Sequence, residues 1–145
     1  MICCRFDPLG RYVFAGAEDY AIHRFDAQSG KQITLADHDC WIRGLTFSLD
    51  GETMISAGSD GQLVWWPVAG EQPLPLRKLQ AHDGWIRAVS TSPDGRLLAS
   101  GGNDLIPKLW NIDDGTLVRE FLRPESHSYS TFFHPSGDFL LTGTR

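Results

Sequence analysis

The chain has 145 residues, of which 41% are hydrophobic and 21% charged, and this composition is typical of a folded globular domain rather than a disordered segment. Its formal net charge of −5 argues against nucleic acid as a partner, because phosphate binding requires a surface rich in lysine and arginine. No run of about 18 apolar residues occurs, so the sequence predicts no membrane-spanning helix.

A short turn recurs four times along the chain and sets its organisation. The turns end at Gly10, Gly51, Gly95 and Gly137, which are 41, 44 and 42 residues apart. Nine residues after each of the first three glycines stands an aspartate, and six residues further an aromatic side chain: Asp19 and Phe25, Asp60 and Trp66, Asp104 and Trp110. Self-similarity at a fixed period of this size indicates a repeat architecture.

Each copy begins with a predicted strand, at residues 2–6, 43–47 and 87–91, whose side chains alternate between two faces. One position takes small residues in every copy, which suggests close approach of a neighbouring backbone: Cys3, Gly44, Ala88 and Ser130. The next position points to the other face and carries Cys4, Leu45, Val89 and Thr131. We therefore expect both Cys3 and Cys4 to be core residues.

The glycine turn leads into a second predicted strand, which is apolar along most of its length, as expected for a strand covered on both faces. These second strands are predicted at residues 12–17, 53–58, 97–102 and 139–144. A third strand ends at Phe25, Trp66 or Trp110, and Pro107 predicts a bulge or a shortened strand in the third copy. Outer strands are predicted at 31–35, 77–79 and 116–121. The second copy has a long turn before its outer strand, predicted to be a surface excursion and rich in proline: Pro67, Pro73 and Pro75.

Two further markers complete the pattern: His38 and His82, each followed three residues later by Trp-Ile-Arg. Together with the glycine turns, the serine and aspartate after the second strand and the closing tryptophan, they resemble the WD40 repeat along essentially the whole chain. The resemblance implies an all-β fold, a partial β-propeller of four-stranded antiparallel blades with about three and a half WD40-like blades. We expect a single domain, 1–145, with blades at approximately 1–37, 38–81 and 82–124 and a half-blade at 125–145.

Closed propellers have about 4 to 8 blades, so three and a half copies cannot form a ring alone. We expect a segment of a longer propeller, or a ring that is completed by self-association or by another chain. In either case, the apolar faces of the first and last blades must be buried against other blades.

The resemblance also implies a structural network of side chains in two blades, formed by His38, Ser56, Asp60 and Trp66 and by His82, Ser100, Asp104 and Trp110. Each set contains the residue types of a Ser-His-Asp catalytic triad, but a nucleophile is unique and lies in a cleft, whereas this set recurs. The first copy lacks the network because Ala15 and Phe25 replace the serine and the tryptophan. Pro124 stands where a fourth histidine is expected.

The histidines and cysteines of the chain are also candidate metal ligands or nucleophiles. The spacing typical of metal ligands is missing among His38, His82, His127 and His134. Cys40 aligns with Gly84 of the next copy, which favours a surface loop position over a nucleophile. We predict no catalytic residue, no metal and no cofactor.

Trp41 and Trp85, each followed two residues later by Arg43 or Arg87, stand where the loops of a WD40 propeller emerge at its top face. Tryptophan and arginine are enriched at binding hot spots, so these four are candidate contacts with a protein or peptide partner. The same rim is expected to include the residues that precede the turn aspartates: Glu18, Ser59 and Asn103. The alternative is that each tryptophan packs on the neighbouring blade and each arginine pairs with an adjacent acid.

The resemblance therefore predicts a non-catalytic protein–protein interaction scaffold that binds proteins or peptides through its top-face loops, with no nucleic acid or membrane partner. The alternative is a propeller segment of a larger multidomain enzyme or signalling protein, in which it supplies a docking or regulatory domain. Residues 1–10 show no secretory signal pattern, and three cysteines, an odd number, are typical of a reducing compartment. We expect a cytoplasmic protein.

Overall fold

The computed structural model describes residues 1–123, 125 and 128–144, whose strands form four antiparallel sheets. The first sheet consists of β1 (Cys3–Phe6), β2 (Tyr12–Gly16), β3 (Ala21–Asp26) and β4 (Gln32–Ala36). The second consists of β5 (Ile42–Phe47), β6 (Thr53–Gly58), β7 (Gln62–Pro67) and β8 (Arg77–Gln80). The third consists of β9 (Ile86–Thr91), β10 (Leu97–Gly102), β11 (Lys108–Asn111) and β12 (Leu117–Glu120). The fourth has two strands, β13 (Ser128–Phe133) and β14 (Leu140–Thr144).

Strands that follow one another along the chain are hydrogen-bonded neighbours in every sheet. The four sheets pack side by side in chain order, with the innermost strands β5, β9 and β13 in contact in turn and β1 against β5. The prediction of an all-β fold with about three and a half four-stranded blades is thus confirmed. Across the described residues the sheets form an open arc, and none of these residues belongs to a helix long and apolar enough to cross a membrane. The blade boundaries stay a prediction, because Pro124 and Arg145 lie outside the described residues.

The turn that joins the first two strands of each sheet has the same geometry in all four copies. Its glycine donates the backbone N–H to the carbonyl three residues earlier, as Gly10 does to Asp7 (2.9 Å) and Gly95 does to Ser92 (2.9 Å). The four turn glycines have φ values of 70°, 71°, 73° and 81°, a left-handed conformation that a side chain disfavours. The recurring glycine is therefore required by the hairpin that starts each sheet.

The hydrophobic core lies between neighbouring sheets. The cluster between the first and second sheets includes Phe14, Ile22, Ile42, Met54 and Trp66. The cluster between the second and third sheets includes Ile55, Leu63, Trp65, Ile86, Leu98 and Trp110. Successive residues of a strand point to opposite faces, so β6 contributes Met54 to one cluster and Ile55 to the other. The second sheet is accordingly covered on both faces, as its apolar sequence predicts.

Prolines shape one strand and one loop. β11 follows Pro107 and has four residues, against six in β3 and in β7, so the expected shortening is confirmed. The segment between β7 and β8 is a surface excursion, also as predicted, with Glu71, Gln72 and Leu74 exposed.

The core prediction is wrong for Cys4, whose side chain is exposed. Cys3 is half-buried against the cluster between the first and second sheets, and its thiol lies 3.7 Å from the carbonyl oxygen of Ile42. Burial raises the pKa of the Cys3 thiol to about 11. Cys4 points to the opposite face of the first sheet, which no other sheet covers within the described residues. The equivalent Leu45 and Thr131 are buried because a preceding sheet does cover them.

Candidate partner-binding surface

A buried network of side chains lies at one end of the second sheet. His38 Nδ1 lies 2.8 Å from Asp60 Oδ2, and His38 Nε2 lies 2.7 Å from Ser56 Oγ. The indole N–H of Trp66 donates to the same hydroxyl oxygen at 2.9 Å. The Ser56 hydroxyl also lies within donating distance of the Val64 carbonyl, at 3.4 Å. The Asp60 carboxylate can only accept, so the imidazole of His38 donates from Nδ1 to Asp60.

The third sheet contains the same arrangement. His82 Nδ1 lies 2.9 Å from Asp104, His82 Nε2 lies 2.7 Å from Ser100 Oγ, and Trp110 Nε1 donates to that oxygen at 2.8 Å. Ser56 and Ser100 are both 0% exposed, so neither hydroxyl can meet a substrate as a nucleophile would have to. What each network does is tie the loop before a sheet, which carries the histidine, to the second and third strands of that sheet.

The aspartate of each network also fixes the turn between the second and third strands. Asp60 accepts the backbone N–H of Asp39 at 2.9 Å and that of Gln62 at 3.0 Å. Burial alone would raise the pKa of Asp60, but the hydrogen bond from His38 and these two backbone donors hold the pKa below its ordinary value. Burial lowers the pKa of His82, against the opposing effect of Asp104. His82 is therefore neutral at pH 7, in the tautomer that the hydrogen bonds require.

The first sheet has no such network, as its sequence indicates. Ala15 is buried and Phe25 is half-buried at the positions of the serine and the tryptophan. Its turn aspartate, Asp19, still accepts the N–H of Ala21 at 3.2 Å, which keeps the turn geometry of the other copies. Asp19 also lies 2.9 Å from His23 Nε2, in a contact that is exposed rather than buried.

Five side chains form a ladder across the end of the sheets where the loops before β5 and β9 and the aspartate turns lie, here called the top face. The Arg43 guanidinium lies 5.5 Å from the Trp41 ring centre and 4.6 Å from that of Trp85. The Arg87 guanidinium lies 5.7 Å from the Trp85 ring and 4.6 Å from the Tyr129 ring. Each arginine thus bridges from its own sheet to an aromatic ring of the next. We call Trp41, Arg43, Trp85, Arg87 and Tyr129 the top-face ladder.

Two of the predicted rim residues hold the arginines of the ladder in place. Arg43 Nε donates to Ser59 Oγ at 2.6 Å, and Arg87 Nε donates to Asn103 Oδ1 at 2.6 Å. The backbone N–H groups of Ser59 and Asn103 in turn donate to the carbonyls of Trp41 (2.7 Å) and Trp85 (2.9 Å). The acceptors are neutral, so the expected alternative of an arginine paired with an adjacent acid does not describe either site. The other half of that alternative is observed for Trp85, on which an arginine of the neighbouring blade packs.

The remaining sequence candidates do not join the ladder. Glu18 precedes its turn aspartate as Ser59 and Asn103 do, but it is exposed, and the first copy has Ile2 where the others have an arginine. Cys40 is half-buried, and His134 Nδ1 lies 2.9 Å from Ser136 Oγ in its own turn. His127 lies outside the described residues. In the described part of the chain, no three His, Cys, Asp or Glu side chains group together as metal ligands.

Sequence reasoning missed two kinds of contact. Tyr129 joins the ladder although its copy carries tyrosine where the second and third copies carry arginine. Arg24 is buried and donates across to the second blade, to the carbonyls of Val68 (2.7 Å) and Gly70 (2.6 Å). Trp65, at the equivalent position, donates to the carbonyl of Ile112 at 2.8 Å. The signal for this pair was available: both side chains carry a donor at the same repeat position.

Comparison with curated proteins identifies relatives over part of the chain. The nuclear distribution protein PAC1 of Mycosarcoma maydis is 42% identical over 48 residues, which are 32% of this chain and 11% of that protein. The nuclear distribution protein PAC1 of Arthroderma benhamiae is 36% identical over 60 residues, which are 41% of this chain and 13% of that protein. The matched part of this chain therefore spans only a small fraction of the length of these relatives.

Comparison with solved structures supports the fold. A chain in a crystal structure of the mitotic checkpoint complex superposes with a TM-score of 0.87 at 20% sequence identity, covering 97% of this chain and 44% of that one. At this identity the likeness shows the fold alone. The family model described as "WD domain, G-beta repeat" matches residues 30–67 and 74–111, more than half of the 145 residues. Repeats, fold and family model agree, and the chain belongs to the WD40 repeat family.

Proposed function

We propose that this chain is a non-catalytic scaffold that binds protein or peptide partners through its top face. The observation that carries the proposal is the top-face ladder, in which two tryptophans are partly open to solvent, Trp41 at 38% and Trp85 at 41% exposure. Large apolar side chains that remain open on a folded domain are candidate contact sites, above all when arginines stand beside them.

The ladder is also held rigid before any partner arrives. Arg43 and Arg87 are each fixed by a hydrogen bond from Nε and by the aromatic rings on which they lie. A binding residue that is already ordered loses little conformational entropy on association, so more of its contact energy contributes to affinity. This rigidity favours a binding surface over a flexible loop.

The test uses peptides selected by the full chain from a random display library and then synthesised. Trp85→Ala and Arg87→Ala should each weaken binding of a selected peptide by about tenfold or more, because each removes a central contact. Pro75→Ala, in the exposed loop between β7 and β8, is the matched control and should leave binding unchanged. If the control weakens binding while both top-face variants do not, the binding surface lies elsewhere.

A further inference from the structure

The innermost strands of the four sheets line a half-open cavity of about 370 Å³ directly beside the top-face ladder. Its wall includes the apolar side chains of Leu45 and Val89, and its polar lining includes Arg5, Arg43 and Arg87. No aspartate or glutamate lines it among the described residues. Three cations without an anion are notable in a chain whose net charge is −5.

Four of the other cations that the structure describes are paired with acids. Arg11 lies 3.0 Å from Asp7 and 3.2 Å from Glu52, and Lys31 lies 2.6 Å from Glu71. Arg5, Arg43 and Arg87, by contrast, form no ion pair with any residue that the structure describes. Arg43 and Arg87 use only Nε for a hydrogen bond to a neutral acceptor, so the two terminal nitrogens of each guanidinium have no acceptor in that part of the chain.

We propose that this cavity receives an anionic side chain of a partner peptide, a carboxylate or a phosphate. The inference rests on the proposed function and names the chemistry of the ligand. A guanidinium presents paired N–H donors that match two oxygens of a carboxylate or phosphate group. The aromatic rings of Trp85 and Tyr129 hold the planes of Arg43 and Arg87 in a fixed orientation, which prepares the donors for such a ligand.

The charges around the cavity favour a compact anionic group over a polyanion. Glu18, Asp39 and Asp83 are exposed on the loops and turns of the top face. Their carboxylates would repel the successive phosphates of a nucleic acid, whereas one or two acidic groups could enter the cavity between the arginines. A peptide with an isolated acidic residue is the ligand that this pattern fits, and a single-stranded oligonucleotide is the competing class.

The experiment uses the display-selected peptides. They should be enriched in aspartate and glutamate, and changing the acidic residue of a synthetic peptide to its amide should weaken binding by about tenfold. The double variant Arg43→Gln/Arg87→Gln should show the same loss, while Arg96→Gln, an exposed arginine on the turn between β9 and β10, should change binding by less than about twofold. A phosphoserine in place of the acid identifies the source of the anion: tighter binding indicates a phosphopeptide and weaker binding a carboxylate.

Two measurements keep the test decisive if the double variant does not fold. Arg5→Gln removes a cavity cation whose side chain makes no hydrogen bond in the described structure. This variant should bind the acidic peptide severalfold more weakly. With the unmodified chain, raising the salt concentration from about 0.05 M to 0.5 M should weaken binding of the acidic peptide and leave binding of its amide analogue unchanged.

Each remaining outcome decides between the two proposals. If binding depends on Trp85 but the amide analogue binds as well as the acid, the anionic ligand is wrong and the top-face scaffold stands. If no selected peptide depends on Trp85, the scaffold proposal itself falls. If a single-stranded oligonucleotide competes more strongly than the acidic peptide, the ligand class is wrong.

Discussion

The first sheet differs from the second and third sheets in its buried side-chain hydrogen bonds, although the strands pair in the same order in all three. The second and third sheets each contain a buried His-Ser-Asp-Trp network, and the first has Ala15 and Phe25 in its place. The strand pattern therefore does not depend on the network. What differs is the loop ahead of the sheet, because His38 and His82 anchor the loops that carry Trp41 and Trp85.

This difference links a buried feature to the surface. Where the network is present, the preceding loop is held by a histidine, and the tryptophan three residues later is placed against an arginine. The first sheet lacks the network and the ladder arginine together. We infer that the network positions the top-face ladder, and the following substitutions are designed to break or sharpen this contrast.

The largest effect is expected from removing a network tryptophan. Trp66→Ala should lower the free energy of unfolding by about 3–5 kcal/mol, because it empties a site that is only 1% exposed and removes a donor to Ser56. Phe25→Ala, at the equivalent position of the first sheet, should cost clearly less because that ring is half-buried. Urea unfolding followed by circular dichroism measures both. An equal or larger loss for Phe25→Ala would contradict the contrast.

A smaller effect is expected from a single hydroxyl group. Ser100→Ala leaves the indole N–H of Trp110 and His82 Nε2 without their partner in a buried site. The free energy of unfolding should therefore fall by about 1–3 kcal/mol. Ser90→Ala is the matched control in the same sheet, since Ser90 Oγ is buried without a hydrogen-bond partner and its removal should be close to neutral. The same unfolding assay compares the two. Equal losses would show that the network adds nothing beyond serine packing.

The smallest effect is a pH dependence. The pKa of His82 in the folded chain is below its ordinary value of 6.5, so the unfolded chain binds the proton first as the pH falls. The stability that neutral His82 contributes is therefore fully present above pH 6.5 and is lost as the pH falls below it. For one proton, the free energy of unfolding changes by at most about 1.4 kcal/mol per pH unit. His82→Gln should flatten the slope just below pH 6.5, measured by urea unfolding at several pH values. His23→Gln, which removes a half-buried histidine of the first sheet at 2.9 Å from Asp19, is the control. An unchanged slope in His82→Gln would refute the assignment.

The repeat made the strands and the turns accessible to prediction, because each depends on residues close in sequence or on a position that recurs. The buried side-chain network was expected from the resemblance to the WD40 repeat. The glycine turns and Pro107 act through local backbone geometry, and their effects are those predicted. The aspartate turns were predicted in the same way. Their left-handed residue was not, since Gly61 occupies it in the second copy while Tyr20 and Leu105 adopt φ 68° in the first and third.

The features that were mispredicted or missed have one physical cause. Burial, and contacts between residues far apart in sequence, depend on the neighbouring sheet. Cys4 has the same alternation as Leu45, yet only Leu45 has a sheet against it. The contact of the buried Arg24 side chain was missed because its acceptor, the carbonyl of Val68, lies 44 positions further along the chain. The alternative in which Arg43 and Arg87 pair with acids fails because the fold places the neutral acceptors Ser59 and Asn103 beside them.

The placement of the core between the sheets has a consequence for how the molecule opens. The second sheet shares one core with the first sheet and another with the third, so its central strands can expose their backbone amides only when both cores separate. The amide protons of β6 and β7 should therefore exchange with deuterated solvent last, and those of β1 and β14, at the two ends of the arc, first. Opening then proceeds from the flanks inward, and the blade that shares a buried core with both of its neighbours is the final one to lose its protection.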